Sequence, residues 1–208
     1  KKINIEFVSA NPTGPLHVGH TRGAIFGDVL ANLLSHFGYD VTREYYINDA
    51  GTQIDALGRS AYCRYKEALG QEYISKKSEY PGDYLKVVGQ KLKNSFGETL
   101  LALDDNLRLE KIKKFTVDMM LVDIKKDLSD LGVVMDNFIS ESSLYQLGKV
   151  KEAIDYLENL GLIYQGTLDK PKGSNNEDWV ERQQELFRST LYGDDIDRPI
   201  KKIDGGWT

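Results

Sequence analysis

Apolar and polar positions along the first 70 residues switch between two periods. Residues 3–10, Ile-Asn-Ile-Glu-Phe-Val-Ser-Ala, are β-rich and mostly apolar, which predicts a buried strand. Residues 11–16 carry Pro12, Gly14 and Pro15 and predict a turn. From His17 onward the period is helical. Val18, Ile25, Val29, Leu33 and Phe37 recur near every 3.6 residues, and Gly38 stands where a C-terminal cap belongs. Gly23 and Gly27, one turn apart, predict close packing of this helix on a sheet, at a cost in helix propensity. Residues 41–47 predict a second strand and residues 52–69 a second helix. Strand, helix, strand, helix in that order predicts a parallel sheet with a right-handed crossover.

The middle of the chain has a different texture. Residues 83–99 and 107–131 are amphipathic and highly charged. Leu109, Ile112, Phe115, Met119 and Val122 predict one apolar stripe, which Gly132 ends. Residues 135–140 predict a strand. Leu147, Val150, Ile154 and Leu157 stripe a further helix that stops at Gly161, and residues 163–168 predict a strand. Residues 169–178 predict a polar loop. Residues 199–203 predict one arm of a hairpin turning at Asp204-Gly205-Gly206.

A doubly wound nucleotide-binding fold uses about five or six strands. Only the two before residue 48 read clearly as strands of that kind. The expected fold is therefore α/β, with an incomplete Rossmann-like parallel sheet and a large, mostly helical insertion. The expected division is 1–71 for the first half of the nucleotide fold, 72–198 for an inserted α+β region, and 199–208 for a truncated return into the fold.

Composition narrows the class. Of 208 residues, 40% are apolar and 28% charged, the balance of an ordinary globular protein. No apolar run approaches the roughly 20 residues that span a bilayer, so no membrane partner is expected. A single cysteine, Cys63, forms no internal disulfide and suits a reducing, cytoplasmic setting. A net charge of −5 argues against a dedicated nucleic-acid-binding module, yet leaves room for an enzyme that touches RNA through one local patch.

The segment Ser9-Ala10-Asn11-Pro12-Thr13-Gly14-Pro15-Leu16-His17-Val18-Gly19-His20 joins the first strand to the first helix, where open α/β sheets bind ligands. His17 and His20 share one side of the first helical turn. Gly19 leaves bare backbone against which a flat base fits. The helix N-terminus offers unpaired N–H groups and partial positive charge. Together these suit a nucleoside triphosphate whose α-phosphate gains charge during displacement. Spacing alone fits a pair of surface histidines or half a metal site equally well. A zinc site needs more ligands, and the only other histidine, His36, lies about four turns away.

The same segment resembles the His-x-Gly-His signature of class I aminoacyl-tRNA synthetases, and the longer string resembles the arginine-specific members. Thr21-Arg22-Gly23, Gly27-Asp28, Tyr46-Ile47-Asn48-Asp49-Ala50-Gly51-Thr52-Gln53, Glu141-Ser142-Ser143-Leu144-Tyr145 and Gly193-Asp194-Asp195-Ile196-Asp197-Arg198-Pro199 extend the resemblance over residues 1–208. It implies an arginine–tRNA ligase that forms arginyl-adenylate and pyrophosphate from L-arginine and ATP with Mg2+, then moves the arginyl group to the 3′ end of tRNA(Arg). It implies that His17, Gly19 and His20 hold ATP, with His17 and His20 catalytic. It places Glu6, Ser9, Ala10, Asn11 and His20 around arginine. Asn11 suits this role because one amide accepts from an ammonium and donates to a carboxylate. A Glu6 carboxylate suits a guanidinium. Asp49 and Gln53 fall at the rim, although Gln53 fits equally a simple helix-start residue. No protein-bound metal is implied.

Two departures qualify the resemblance. The family's second, lysine-rich signature is absent, and Ser75-Lys76-Lys77-Ser78 lies too early to be it. The Tyr and Asp that complete the family's arginine pocket are expected beyond Thr208. The chain alone is therefore expected not to charge tRNA. The inserted region is expected to cover the acceptor stem or shape the site. Arg182, Arg188, Arg198, Lys201 and Lys202 fit phosphate contacts there, but interleaved acids favour a solvated charged face. Two further readings of the chain are a class I-like nucleotidyltransferase acting on a small cofactor precursor and a non-catalytic scaffold fragment.

Overall fold

The computed structural model describes residues 1–72, 80–168, 182–201, 206 and 207. The segment 75–78, the loop at 169–178, Lys202 and the turn at 204–205 lie outside the described residues. The chain forms two compact units, Lys1–Ser143 and Leu144–Thr208.

The first unit carries a parallel sheet in the order β1 (Lys2–Glu6), β2 (Asp40–Ile47), β3 (Asn137–Ser140). The third strand, expected to sit in an insertion, is a full member of this sheet, with Ile47 beside Ser140. Because the strands are parallel, their carboxyl ends share one edge, and the loops that follow converge there. β1 is shorter than expected. A Ser9 N–H to Phe7 C=O bond closes a tight turn after Glu6, and Val8 and Ser9 take φ of 66° and 41°. Positive φ ends the ladder.

Helix α1 (Val18–His36) packs on the sheet through Ala24, Gly27 and Ala31, all buried. The expected apolar stripe points the other way: Val18 is 86% and Phe37 75% exposed, and Ile25, Val29 and Leu33 are exposed too. Small residues let backbones approach closely, so the helix lies on its small face and turns its large side chains outward. Only one of the two glycines serves this contact. A Cβ on Gly27 would fall 2.2 Å from the Phe7 ring, whereas one on Gly23 meets nothing within 4 Å. Gly38 takes φ 83° just past the helix, as the sequence predicts.

Helices α2 (Thr52–Ala68), α3 (Tyr84–Phe96) and α4 (Asp105–Asp130) share one core built on Leu57, Tyr65, Leu85, Leu92 and Ile112. Gly89 brings α3 against α2, since a Cβ there would lie 2.4 Å from the Arg64 carbonyl oxygen. The stripe on α4 is rotated from the expected one. Ile112, Thr116, Val117, Met120, Ile124 and Leu128 are buried, while Val122 is 67% exposed. At about 39 Å this helix is long enough to serve two cores. Its first half packs with α2 and α3. Ile124 and Leu128 join Phe7, Ala24, Tyr45 and Ile47 under the sheet. Residues up to 143 are thus one body with the sheet, and the division expected at 71/72 does not coincide with the boundary between compact units.

Helix α5 (Glu141–Gln146) follows β3 directly, a short helix that the sequence pattern did not reveal. In the second unit, α6 (Lys149–Asn159) ends at Leu160, with Gly161 at φ 69°. An antiparallel sheet runs β4 (Ile163–Gly166), β5 (Gln184–Phe187), β6 (Arg198–Pro199) around buried Leu186. β5 was not foreseen, and of the hairpin arm expected at 199–203 the described residues show Pro199 in the two-residue β6 and Lys201 in a bridge to Trp207. No helix among the described residues is long and apolar enough to cross a membrane.

Candidate active site

The loop after β1 is pinned from several sides. The Tyr45 hydroxyl, wholly buried in β2, donates to the Ala10 carbonyl at 2.8 Å. The Tyr46 N–H donates to Ser9 Oγ at 3.0 Å, and Ser9 Oγ donates in turn to Glu6. From α3, the Tyr84 hydroxyl donates to the Thr13 carbonyl. Burial pushes the Tyr45 and Tyr84 hydroxyls up to about 12, so both remain donors at neutral pH. The Val8–Ser9 conformation costs of order 1–3 kcal/mol per residue, and such strain persists only where surrounding contacts hold it. These bonds supply that hold.

The histidine pair begins α1. His17 is the N-cap, and its Nδ1 accepts from the Gly19 N–H at 3.2 Å. His20 Nδ1 reaches back to accept from the His17 N–H, also at 3.2 Å. This is a capping box made by two imidazoles rather than by Ser and Glu. The rings stack with centroids 3.8 Å apart. An Nδ1 that accepts a backbone N–H carries no proton, so each neutral ring holds its proton on Nε2 and presents a donor there. Burial, and then the neighbouring His17, lower the His20 pKa below its ordinary 6.5. Gly19 leaves room for the stacking: a Cβ there would sit 3.0 Å from the His17 ring, which would have to give by a few tenths of an ångström.

These residues line a cleft of about 480 Å³ bounded by Val8, Ser9, Ala10, Asn11, Thr13, Gly14, Pro15, His17 and His20. Of the sequence-predicted residues, Ser9, Ala10, Asn11, His17 and His20 meet there. Gly19 and Glu6 adjoin the cleft through His17 and Ser9 without lining it. Asn11 is held on both sides, its Oδ1 accepting from Asn48 and its Nδ2 donating to Gln53, each at 2.7 Å. Asp49 faces elsewhere. It accepts from the Ser140 hydroxyl at 2.6 Å, and from the Ser142 N–H at 2.8 Å and hydroxyl at 3.0 Å, tying the end of β2 to the start of α5. Sequence reasoning missed Tyr45, Tyr84 and Asn48. A buried tyrosine needs a hydrogen-bond partner, but its partner is not visible in the chain.

Among the described residues, four of the candidate phosphate-contacting residues have internal partners. Arg198 makes two bonds to Asp194 at 2.6 and 2.7 Å, and Lys201 pairs with Glu185 at 2.5 Å. Arg188 lies over the Tyr164 ring and donates to the Gly161 carbonyl, and Arg182 donates to Gln184. Among the described residues, no group of three or more His, Cys, Asp or Glu side chains is placed to hold a metal.

Known proteins reproduce both sequence and fold. An arginine–tRNA ligase from Ruegeria sp. (strain TM1040) is 56% identical over 208 residues, and one from Ruegeria pomeroyi is 57% identical. The chain spans 36% of the length of each. A crystal structure from Campylobacter jejuni, assigned to an arginyl-tRNA synthetase, superposes with a TM-score of 0.79 at 33% identity over 99% of this chain and 41% of its own. Thermus thermophilus arginyl-tRNA synthetase, at 18% identity and a TM-score of 0.61 over 100% of this chain and 34% of its own, shares the fold. The family described as class I tRNA synthetases (R), catalytic domain, matches residues 1–208. With its histidine-capped helix at the carboxyl edge of a parallel sheet, the chain belongs to that family, the arginine-specific class I aminoacyl-tRNA synthetases.

Proposed function

We propose that the protein of its relatives' full length carrying this chain is an arginine–tRNA ligase working in the cytoplasm. It joins L-arginine to the α-phosphate of ATP, releases pyrophosphate, and passes the arginyl group to the 3′-terminal adenosine of tRNA(Arg). One observation carries this reading: two stacked imidazoles, each with Nδ1 used by the helix cap and a proton left on Nε2, border the same cleft as Asn11.

The arginine carboxylate attacks the α-phosphorus, and negative charge grows on the α-phosphate oxygens as pyrophosphate leaves. Fixed donors already aimed at that charge lower the barrier without reorganising. His17 and His20 fill that role. Burial, and then the neighbouring His17, lower the His20 pKa, which favours the neutral ring that donates one hydrogen bond. Asn11 meets the α-amino and α-carboxylate groups. Glu6, with one oxygen engaged by Ser9, offers the other to the guanidinium. Mg2+ enters with the triphosphate, and among the described residues none lining the cleft is a carboxylate. The exposed apolar face of α1, and a β1 edge paired only with β2 among the described residues, fit a site completed by further chain. The isolated 208 residues are expected to be inactive.

The test is ATP–pyrophosphate exchange in the presence of tRNA. The full-length protein is expected to exchange with arginine and not with lysine or citrulline, and residues 1–208 alone not to exchange. Exchange indifferent to the amino acid would remove the proposal.

A further inference from the structure

We infer that Asn48 and Gln53 are positioning residues that fix which way the Asn11 amide faces, and that this orientation sets arginine affinity. The inference rests on the arginine-activating reading above and assigns a role to a pair at the end of β2 and the start of α2.

A primary amide has four hydrogen-bonding positions, two N–H donors and two acceptor lone pairs. In Asn11 one of each is already used. Asn48 Nδ2 donates to Asn11 Oδ1 at 2.7 Å, and Asn11 Nδ2 donates to Gln53 Oε1 at 2.7 Å. Among the described residues, one lone pair and one N–H of Asn11 have no further side-chain partner. That remainder is the complement of a zwitterionic amino acid, whose ammonium donates and whose carboxylate accepts. Neither Asn48 nor Gln53 lines the cleft, whereas Asn11 does. The two outer amides therefore stand behind the middle one and reach a ligand through it.

The three amides form a directional relay. An amide has nearly the same shape when its oxygen and nitrogen are exchanged, so an unsupported Asn11 has little to choose between its two faces. Reversal would swap the positions offered to ammonium and carboxylate. The relay couples the three amides: with residue 48 donating and residue 53 accepting, Asn11 keeps Oδ1 toward Asn48 and Nδ2 toward Gln53, and it turns only if its neighbours turn with it. The chain supplies both from one motif, Asn48-Asp49-Ala50-Gly51-Thr52-Gln53. Gly51, at φ 86° before α2, turns the backbone between the two amides, and Asp49 anchors the β2 end against Ser140 and Ser142.

The donor and acceptor roles make acid substitutions asymmetric. A carboxylate only accepts. Gln53→Glu therefore keeps the acceptor for Asn11 Nδ2, while Asn48→Asp replaces the donor with an acceptor and drives the Asn11 amide to turn over. Each variant adds one negative charge, so charge alone does not separate them. The experiment is steady-state ATP–pyrophosphate exchange with tRNA in the full-length protein, measuring KM for arginine and for ATP in the wild type and in Asn48→Ala, Asn48→Asp, Gln53→Leu and Gln53→Glu. Loss of one such hydrogen bond corresponds to roughly 3–10-fold. The expected result is a KM for arginine raised by about that factor in Asn48→Ala, Asn48→Asp and Gln53→Leu, with KM for ATP within about twofold. Glu at 53 is expected to recover most of what Leu loses, and Asp at 48 not to recover what Ala loses. Equal rescue by acid at both positions, or parallel rises in both KM values, would overturn the positioning role. A wild type that shows no arginine-dependent exchange would instead remove the functional reading, and this inference with it.

Discussion

Adding one methyl group to the buried face of α1 has a cost that the structure defines. In Gly27→Ala the new Cβ would lie 2.2, 2.3 and 2.7 Å from three atoms of Phe7. Carbon atoms pack at roughly 3.5–4.0 Å, so ring or helix must move by more than about 1 Å. Phe7 is 9% exposed and precedes the strained Val8–Ser9 turn, so it has little room to give. Overpacking of this kind costs about 1–3 kcal/mol, and this contact belongs at the upper end. Replacing a helical glycine by alanine returns about 1 kcal/mol. The expected net effect is a loss of about 2 kcal/mol. Gly23→Ala is the control: its Cβ meets nothing within 4 Å, so the helix-propensity gain stands alone, about 0.5–1 kcal/mol of stabilisation. Urea unfolding of the two variants beside the parent chain, followed by circular dichroism, gives both values. Two shifts of the same sign, or a stabilised Gly27→Ala, would refute the close approach of α1 to the sheet.

Removing the Tyr45 hydroxyl in Tyr45→Phe leaves the Ala10 carbonyl without its buried donor and is expected to cost about 1–2 kcal/mol in the same urea measurement. Tyr84→Phe, which frees the Thr13 carbonyl next to the cleft, is expected to raise KM for ATP in the exchange assay more than it lowers the urea midpoint. Asp49→Ala removes three hydrogen bonds at the β3–α5 junction and is expected to speed amide exchange at residues 140–143, read by hydrogen–deuterium mass spectrometry. The lowered His20 pKa sets the sign of its contribution to the pH dependence of stability. Its folded pKa lies below 6.5, so the unfolded chain takes up a proton that the folded chain refuses. The His20 contribution is whole above pH 6.5 and is lost as pH falls toward the folded pKa. The urea midpoint of His20→Gln is therefore expected to fall less than the parent's between pH 7.5 and 5.5.

The alternation of periods located β1, α1, β2 and α2 to within a few residues, because local pattern and tertiary role agree there. It misjudged which face of α1 is buried. Hydrophobic periodicity favours large side chains, whereas this contact is made by Ala24, Gly27 and Ala31, selected for close approach. It also placed β3 in an insertion, since four residues, Asn137–Ser140, carry too little pattern to reveal that they pair with a strand about 90 residues earlier. At the cleft the histidine spacing was legible and its local meaning was not. The reciprocal Nδ1 bonds that fix both tautomers emerge only with coordinates. Asp49 read as a site residue because it follows β2, yet its carboxylate is occupied by Ser140 and Ser142.

The central claim is that the imidazole at the start of α1 stabilises charge in the transition state. His17→Asn in the full-length protein tests it most directly, since asparagine is a favoured N-cap and the imidazole donor is lost. In single-turnover formation of arginyl-adenylate with tRNA present, the rate at saturating ATP is expected to fall roughly 10²–10³-fold while ATP affinity changes little. A rate equal to the wild type's, or a defect confined to ATP affinity, would contradict it.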